Sequence, residues 1–150
     1  MPPFMPPMNP FLLVGGLLSL VAGGLHLAII VGGPDWLRFF GAGERLAVMA
    51  ENGAYYPGLV TGGIAVALII MGTYALAAAA SMGGTPLSLP FVKWILLAIT
   101  AVFLLRGLAL VPMFFMAPQM VNGFMIWSSL IVLALGALHA KGLAQSWSVL

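Results

Sequence analysis

Among the ionisable side chains inside the long apolar stretches of this chain, two are good candidates for chemistry: His26 in the first stretch and Arg106 in the third. A central arginine in a lipid-embedded helix costs roughly 2.5 to 3.5 kcal/mol, so such residues mark functional sites by default. The planar guanidinium of Arg106 suits a carboxylate or phosphate headgroup, and His26 suits proton transfer. Arg106 precedes Pro112 by six residues, which is about 9 Å along a helix.

A structural role competes with this functional one. Arg106 would then pair with Glu44 or Glu51, and His26 would hydrogen-bond a backbone carbonyl or a tyrosine hydroxyl. Intramembrane charges commonly pair with one another or with carbonyls. Substituting Arg106 by Gln separates the two roles, because only the functional one predicts folded protein that has lost a ligand.

Opposite charges gather in residues 34–57, which hold all three acids, two arginines and five aromatic residues: Asp35, Glu44, Glu51, Arg38, Arg45, Trp36, Phe39, Phe40, Tyr55 and Tyr56. The pattern predicts a short helix from Glu44 to Asn52 that ends at Gly53, with both glutamates on one face. Aromatic and charged residues together are typical of the membrane interface, so we expect an interfacial lid here. An ordinary loop with aromatic anchors is the alternative.

The candidate ligand-binding residues share a predicted position near this lid: His26, Arg106, Glu44, Glu51, Tyr55, Tyr56 and Trp127. The hypothesis is a cleft that opens beneath the lid. We expect no catalytic residue, no metal and no cofactor. His26, Glu44 and Glu51 contain one nitrogen and two carboxylate ligands, but no metal motif fixes their spacing. Methionines at both ends of the spans favour flexible apolar filling over a Cu(I) path.

Composition explains why these few polar residues stand out. The chain has 150 residues, of which 63% are hydrophobic and 5% charged, whereas a soluble domain carries roughly 25% charged residues. The mean hydropathy is +1.17. Cysteine is absent, which excludes disulfides and thiolate chemistry. The net charge of +2 is scattered, so nucleic-acid binding is not expected.

Four apolar runs are each long enough to cross a bilayer, which takes roughly 20 residues. Unpaired backbone groups are not tolerated in hydrocarbon, so these runs are predicted to be helices. The predicted fold is an all-α, four-transmembrane-helix bundle in a single membrane domain, residues 1–150. Its spans cover about 11–31, 58–80, 91–111 and 120–141, with the interfacial segment 34–57 between the first two.

Small residues predict the faces on which these helices pack. Gly15, Ser19 and Gly23 recur every four positions in the first span, and a second stripe runs along the second span: Gly58, Gly62, Ala65, Gly72 and Ala79. Such faces let backbones approach closely, within one chain or between chains. The expected partners are therefore membrane lipids and a homo-oligomer or larger membrane complex.

Sidedness is weakly encoded, because Lys93 and Lys141 lie on one side and Arg38 and Arg45 on the other. The acids near the lid tip the prediction toward cytoplasmic termini in a bacterial-type inner membrane. This plan resembles that of small bacterial membrane proteins, DoxX-like ones among them, and no residue role is taken from the resemblance.

Three functions follow from these residues. The preferred one is an accessory or small-ligand and lipid-binding component of the membrane, rather than an enzyme. The alternatives are an oligomeric transporter or channel lined by Arg106 and His26, and an enzyme that acts on a lipophilic substrate beneath the lid.

Overall fold

The structure is a computed structural model that describes residues 8–82 and 89–150. The regular elements in these two ranges are all helical: α1 Pro10–Phe39, α2 Glu44–Glu51, α3 Tyr56–Met82, α4 Val92–Leu108, α5 Leu110–Met116, a 3-10 turn Pro118–Met120 and α6 Gly123–Ser146. The predicted all-α fold is confirmed. The predicted lid helix is also present, as α2.

Four helical segments are long and apolar enough to cross a membrane: Pro10–Phe39, Tyr56–Ser81, Val92–Met116 and Gly123–Ser146. They correspond one to one with the four predicted spans. The chain is therefore a multi-pass membrane protein by helix length and composition, although its helices extend beyond the predicted ends.

The first helix does not end at its glycine and proline residues as predicted, but changes direction there. Gly33 has φ 71° and ψ −153°, and helical geometry resumes at Pro34 and continues to Phe39. Glycine adopts a positive φ without steric cost, and proline suits the first position of a new helical stretch because it needs no N–H donor there. The pair kinks α1 and carries its last turns toward the lid.

The third span also passes its predicted end. α4 stops at Leu108, and α5 resumes at Leu110 and runs through Pro112 to Met116. Pro112 has no N–H to donate to the carbonyl four residues earlier, which is that of Leu108, so the break falls at that point. Arg106 consequently lies ten residues from the end of the span, about 15 Å rather than about 9 Å.

Contacts divide the chain into two compact units. The terminal unit comprises Met1–Leu18 and Met71–Leu150, and the lid unit comprises Ser19–Ile70. The single membrane domain of the sequence analysis stays a prediction.

Glycines let the helices of the terminal unit approach closely. A Cβ on Gly107 would lie 2.9 Å from Cα of Leu133, and a Cβ on Gly136 would lie 2.7 Å from the side chain of Leu104. These residues bring α4 against α6 along much of their length. Close approach at small residues is the usual way in which membrane helices associate.

The small-residue face of α1 packs within the chain. In the terminal unit, a Cβ on Gly15 would lie 2.9 Å from the imidazole of His139. In the lid unit, a Cβ on Gly23 would lie 3.1 Å from the carbonyl oxygen of Ala65 in α3. Of the two roles that were open, packing within one chain is therefore found at both glycines, whereas a Cβ on Gly58 of the second stripe would meet nothing within 4 Å.

Candidate ligand site beneath the lid

The seven candidate residues are divided between the two units. The lid unit holds His26, Glu44, Glu51, Tyr55 and Tyr56, and the terminal unit holds Arg106 and Trp127. The lid unit alone contains both the lid helix and a cavity beside it, so it forms the candidate site.

Arg38 forms ion pairs with both glutamates of the lid helix, Glu44 and Glu51. Its Nε and Nη2 donate to the two carboxylate oxygens of Glu44 at 2.9 and 2.8 Å, and its Nη1 donates to Oε1 of Glu51 at 2.7 Å. Asp35 lies 3.5 Å from the same Nη1. We call the set Arg38, Glu44 and Glu51 the latch. Bidentate pairing of this kind combines strength with defined geometry.

The latch corrects one prediction and confirms another. The structural role proposed for Arg106 paired it with Glu44 or Glu51, whereas both glutamates pair with Arg38. Their shared face was predicted from a separation of seven residues, or two helical turns, and one arginine does reach both. The missed signal was proximity along the chain, because Arg38 precedes Glu44 by only six residues.

Hydrogen bonds from Arg38 lower the pKa of the Glu44 carboxyl below its ordinary value, against a smaller opposing effect of desolvation. The charged carboxylate is the form that accepts both guanidinium donors, so these bonds favour ionisation. The latch therefore holds through neutral pH and weakens only in acid.

A small apolar core lies on the inner side of the lid. Ile29, Leu37 and Ala47 are buried together, and Phe40 and Ala50 pack against them. Ala47 faces this core while Glu44 and Glu51 face Arg38, so α2 is held by polar contacts on one side and apolar contacts on another. This arrangement agrees with the predicted amphipathic lid more closely than with an unanchored loop.

A cavity of about 290 Å³ lies beside this core, within the lid unit. Its lining is mostly apolar and comes from the α1 kink, the end of the lid segment and the start of α3: Ile29, Ile30, Gly33, Pro34, Leu37, Ala50, Gly53, Ala54, Tyr55, Pro57, Gly58 and Thr61. We call it the lid cavity. It lies beside the lid, but most of the residues predicted to line a cleft there do not line it.

The lid cavity contains few polar groups. The hydroxyl of Thr61 donates to the carbonyl of Pro57 at 2.8 Å, so its hydrogen is already used. Tyr55 is 88% exposed and lies at the rim. The side chains that would meet an occupant are therefore mostly apolar.

Tyr56 belongs to a second hollow, of about 460 Å³, on the lid unit. Its lining is Ala42, Arg45, Leu46, Met49 and Tyr56. Tyr55 and Tyr56, which were predicted as one group, thus face different hollows. Of the predicted ligand residues, only Tyr55 lines the lid cavity.

His26 makes the contact that the structural role predicts. Its Nδ1 donates to the carbonyl of Ala22 at 2.8 Å, one turn earlier in α1, and its side chain is half-buried. Since a carbonyl can only accept, Nδ1 carries the proton in the neutral ring and Nε2 is left as an acceptor. A ligand role for His26 stays a prediction.

The two candidates in the terminal unit face its surface. Nη1 of Arg106 donates to the hydroxyl of Ser129 at 3.2 Å, which joins α4 to α6. The ring of Trp127 is 69% exposed, as is common for aromatic residues at a membrane interface. Neither Arg106 nor Trp127 lines the lid cavity.

One polar residue was missed by the sequence analysis. His139 is fully buried, its Nδ1 donates to the carbonyl of Leu135 at 2.8 Å, and its ring lies 5.0 Å from that of Phe103. Its Nε2 has no hydrogen-bond partner among the described residues. Gly15 opposite the ring is the signal that could have identified this packing.

Within residues 8–82 and 89–150, no three His, Cys, Asp or Glu side chains gather in a way that could hold a metal ion. Comparisons of the chain with models of protein families, with curated proteins and with solved structures found no match.

Proposed function

We propose that this chain is a lipophile-binding protein of a bacterial-type inner membrane, and that it holds an acyl chain or a similar apolar molecule in the lid cavity. The observation that carries the proposal is an apolar hollow of about 290 Å³ beside a helix held by charges. This volume lies at the lower end of the roughly 300 to 1,000 Å³ typical of ligand pockets.

The energetics favour an apolar occupant. An apolar occupant removes apolar lining of the lid cavity from water, which is favourable. Water gains little there, because a buried water needs two to four polar partners. An acyl chain needs none, and it is the commonest apolar molecule in a membrane.

The lining favours binding over chemistry. Tyr55 supplies the only titratable side chain among the cavity residues. General acid-base catalysis needs a group that gains and loses protons near the working pH, and a tyrosine at the rim is a poor one. A lipid-binding or accessory role therefore fits the lid cavity better than the enzyme alternative.

The proposal includes cytoplasmic termini. Four spans place both ends of the chain on one side of the membrane, together with Lys93 and Lys141. The lid segment on the other side contains three acids and two arginines, one of which is occupied by the latch. Reporter fusions at the C-terminus test this orientation, and activity of a periplasmic reporter there would reverse it.

Native mass spectrometry from a mild detergent tests the lid cavity. We expect the wild-type chain to retain a lipid-sized adduct and Gly58→Leu to lose it, because a Cβ at Gly58 has open space and the leucine side chain would extend into the cavity. Gly63→Leu is the matched control, since Gly63 lies on the same helix, also has open space and does not line the cavity. Equal adducts in both variants would refute the proposal.

A further inference from the structure

A second charged surface lies in the terminal unit and takes no part in the lid cavity. Nζ of Lys93 lies 4.3 Å from the ring centre of Trp147, and Nζ of Lys141 lies 4.3 Å from the ring centre of Phe11. Trp94 packs edge-on against Trp147 with ring centres 6.2 Å apart. Two ammonium groups and their aromatic neighbours therefore belong to one unit.

These residues lie at the same end of that unit. Nδ2 of Asn9, just before α1, donates to the carbonyl of Gly142 at 3.1 Å and to the hydroxyl of Ser146 at 3.0 Å, near the end of α6. Trp147 follows Ser146 directly, and its contact with Lys93 adds the beginning of α4. The start of α1, the start of α4 and the end of α6 thus form one surface, which we call the lysine end.

The lysine end has no acidic partner of its own. The three acids of the chain are Asp35, Glu44 and Glu51, and all of them belong to the lid unit. An aromatic face attracts an ammonium group but accepts no full hydrogen bond from it, so this contact leaves the three donors of each lysine to other acceptors. Arg38 differs, because its Nε, Nη1 and Nη2 all donate to carboxylates.

We propose that the lysine end binds the headgroups of anionic phospholipids in the adjacent leaflet. Tryptophan rings concentrate at the level of the lipid headgroups, and Trp94 and Trp147 are both exposed at this end. A lysine held at that depth meets phosphate oxygens directly.

The expected effect follows from the charge. Each lysine near an anionic surface strengthens its attraction by about fivefold, and the gain falls with added salt. The wild-type protein in nanodiscs of equal phosphatidylglycerol and phosphatidylcholine should, after extraction, retain phosphatidylglycerol preferentially. Lys93→Gln with Lys141→Gln should reduce this preference by about fivefold for each lysine.

The control is the pair Lys93→Arg and Lys141→Arg, which keeps both charges and both aromatic contacts. It should retain the wild-type preference, whereas equal loss in the arginine and glutamine pairs would overturn the proposal. No preference for phosphatidylglycerol in the wild-type protein would also overturn it. Helical content measured by circular dichroism identifies a variant that has failed to fold, and the single substitution Lys141→Gln then replaces the pair.

The inference rests on the membrane setting of the proposed function but not on the lid cavity. Gly58→Leu should retain fewer lipids than the wild-type protein but keep the phosphatidylglycerol preference among those that remain. The lysine pair should keep the lid-cavity lipid and lose that preference. The two proposals therefore fail separately.

Discussion

Asn9 offers the sharpest test of how the terminal unit is assembled, because its side chain makes two separable sets of hydrogen bonds. Its Oδ1 accepts from the N–H groups of Phe11 and Leu12 and so caps α1. Its Nδ2 donates to the carbonyl of Gly142 and the hydroxyl of Ser146 and so ties α1 to α6. Asn9→Ala removes both sets of hydrogen bonds, whereas Asn9→Ser keeps an oxygen that can cap α1 but not the bonds to α6.

The magnitudes follow from these contacts. Loss of a helix cap costs about 1 kcal/mol, and hydrogen bonds between membrane helices average about 0.6 kcal/mol each. Asn9→Ala should therefore lower the free energy of unfolding by about 2 kcal/mol, and Asn9→Ser by about half as much. Asn52→Ala is the matched control, because Asn52 is exposed at the end of α2 and should change stability by less than about 0.5 kcal/mol.

Reversible unfolding in mixed detergent micelles, followed by circular dichroism, measures all three variants. The reasoning predicts the order Asn52→Ala, Asn9→Ser, Asn9→Ala, from least to most destabilised. If Asn9→Ala matched the Asn52 control, the α1 to α6 tie would contribute nothing. If Asn9→Ser matched Asn9→Ala, the cap and the tie would not be separable.

Three further predictions concern the packing, the kink and the latch. Gly15→Ala should destabilise the protein by about 1 to 3 kcal/mol in thermal unfolding, because its Cβ would meet the ring of His139 at 2.9 Å. The control is Gly24→Ala, where the Cβ has open space. In a double variant, His139→Ala should relieve the clash. Gly33→Ala should cost about 1 to 3 kcal/mol in the same assay, since φ 71° with ψ −153° is a backbone conformation that is essentially restricted to glycine, and an unchanged unfolding temperature would show that the kink is not needed. The stability that the latch contributes is fully present above the ordinary glutamate pKa of about 4.3 and is lost as the pH falls through the lowered pKa of Glu44; the protection of the amides in Glu44–Glu51, measured relative to their intrinsic exchange rates, should therefore fall in acid, and Glu44→Gln should lower it at neutral pH as well.

The four spans could be predicted because a bilayer demands length and hydropathy, and both are read directly from the residues. The ends of the spans could not. Gly33 and Pro34 were interpreted as the end of α1, and Pro112 as the end of the third span, but in both places the helix resumes beyond the break. A proline removes one backbone N–H donor, and the direction that the chain takes after it depends on packing.

The candidate site was predictable in outline and not in its contacts. The shared face of Glu44 and Glu51 follows from helical periodicity, whereas their partner depends on the turn before the lid. Gly41 and Gly43 have φ values of 70° and 93°, and this path returns the lid helix to Arg38. The burial of His139 likewise depends on Gly15 from a helix more than a hundred residues away, which no local pattern contains.

The cysteine-free sequence allows the central claim, a lipophile seated in the lid cavity, to be measured most directly by thiol alkylation. Gly58→Cys places one thiol in the cavity lining, and Gly63→Cys places one on the same helix outside it. A membrane-permeant maleimide should react slowly with the first thiol in lipid-loaded protein and much faster after delipidation, while the second should react at one rate throughout. A rate at Gly58→Cys that did not change on delipidation would contradict the account.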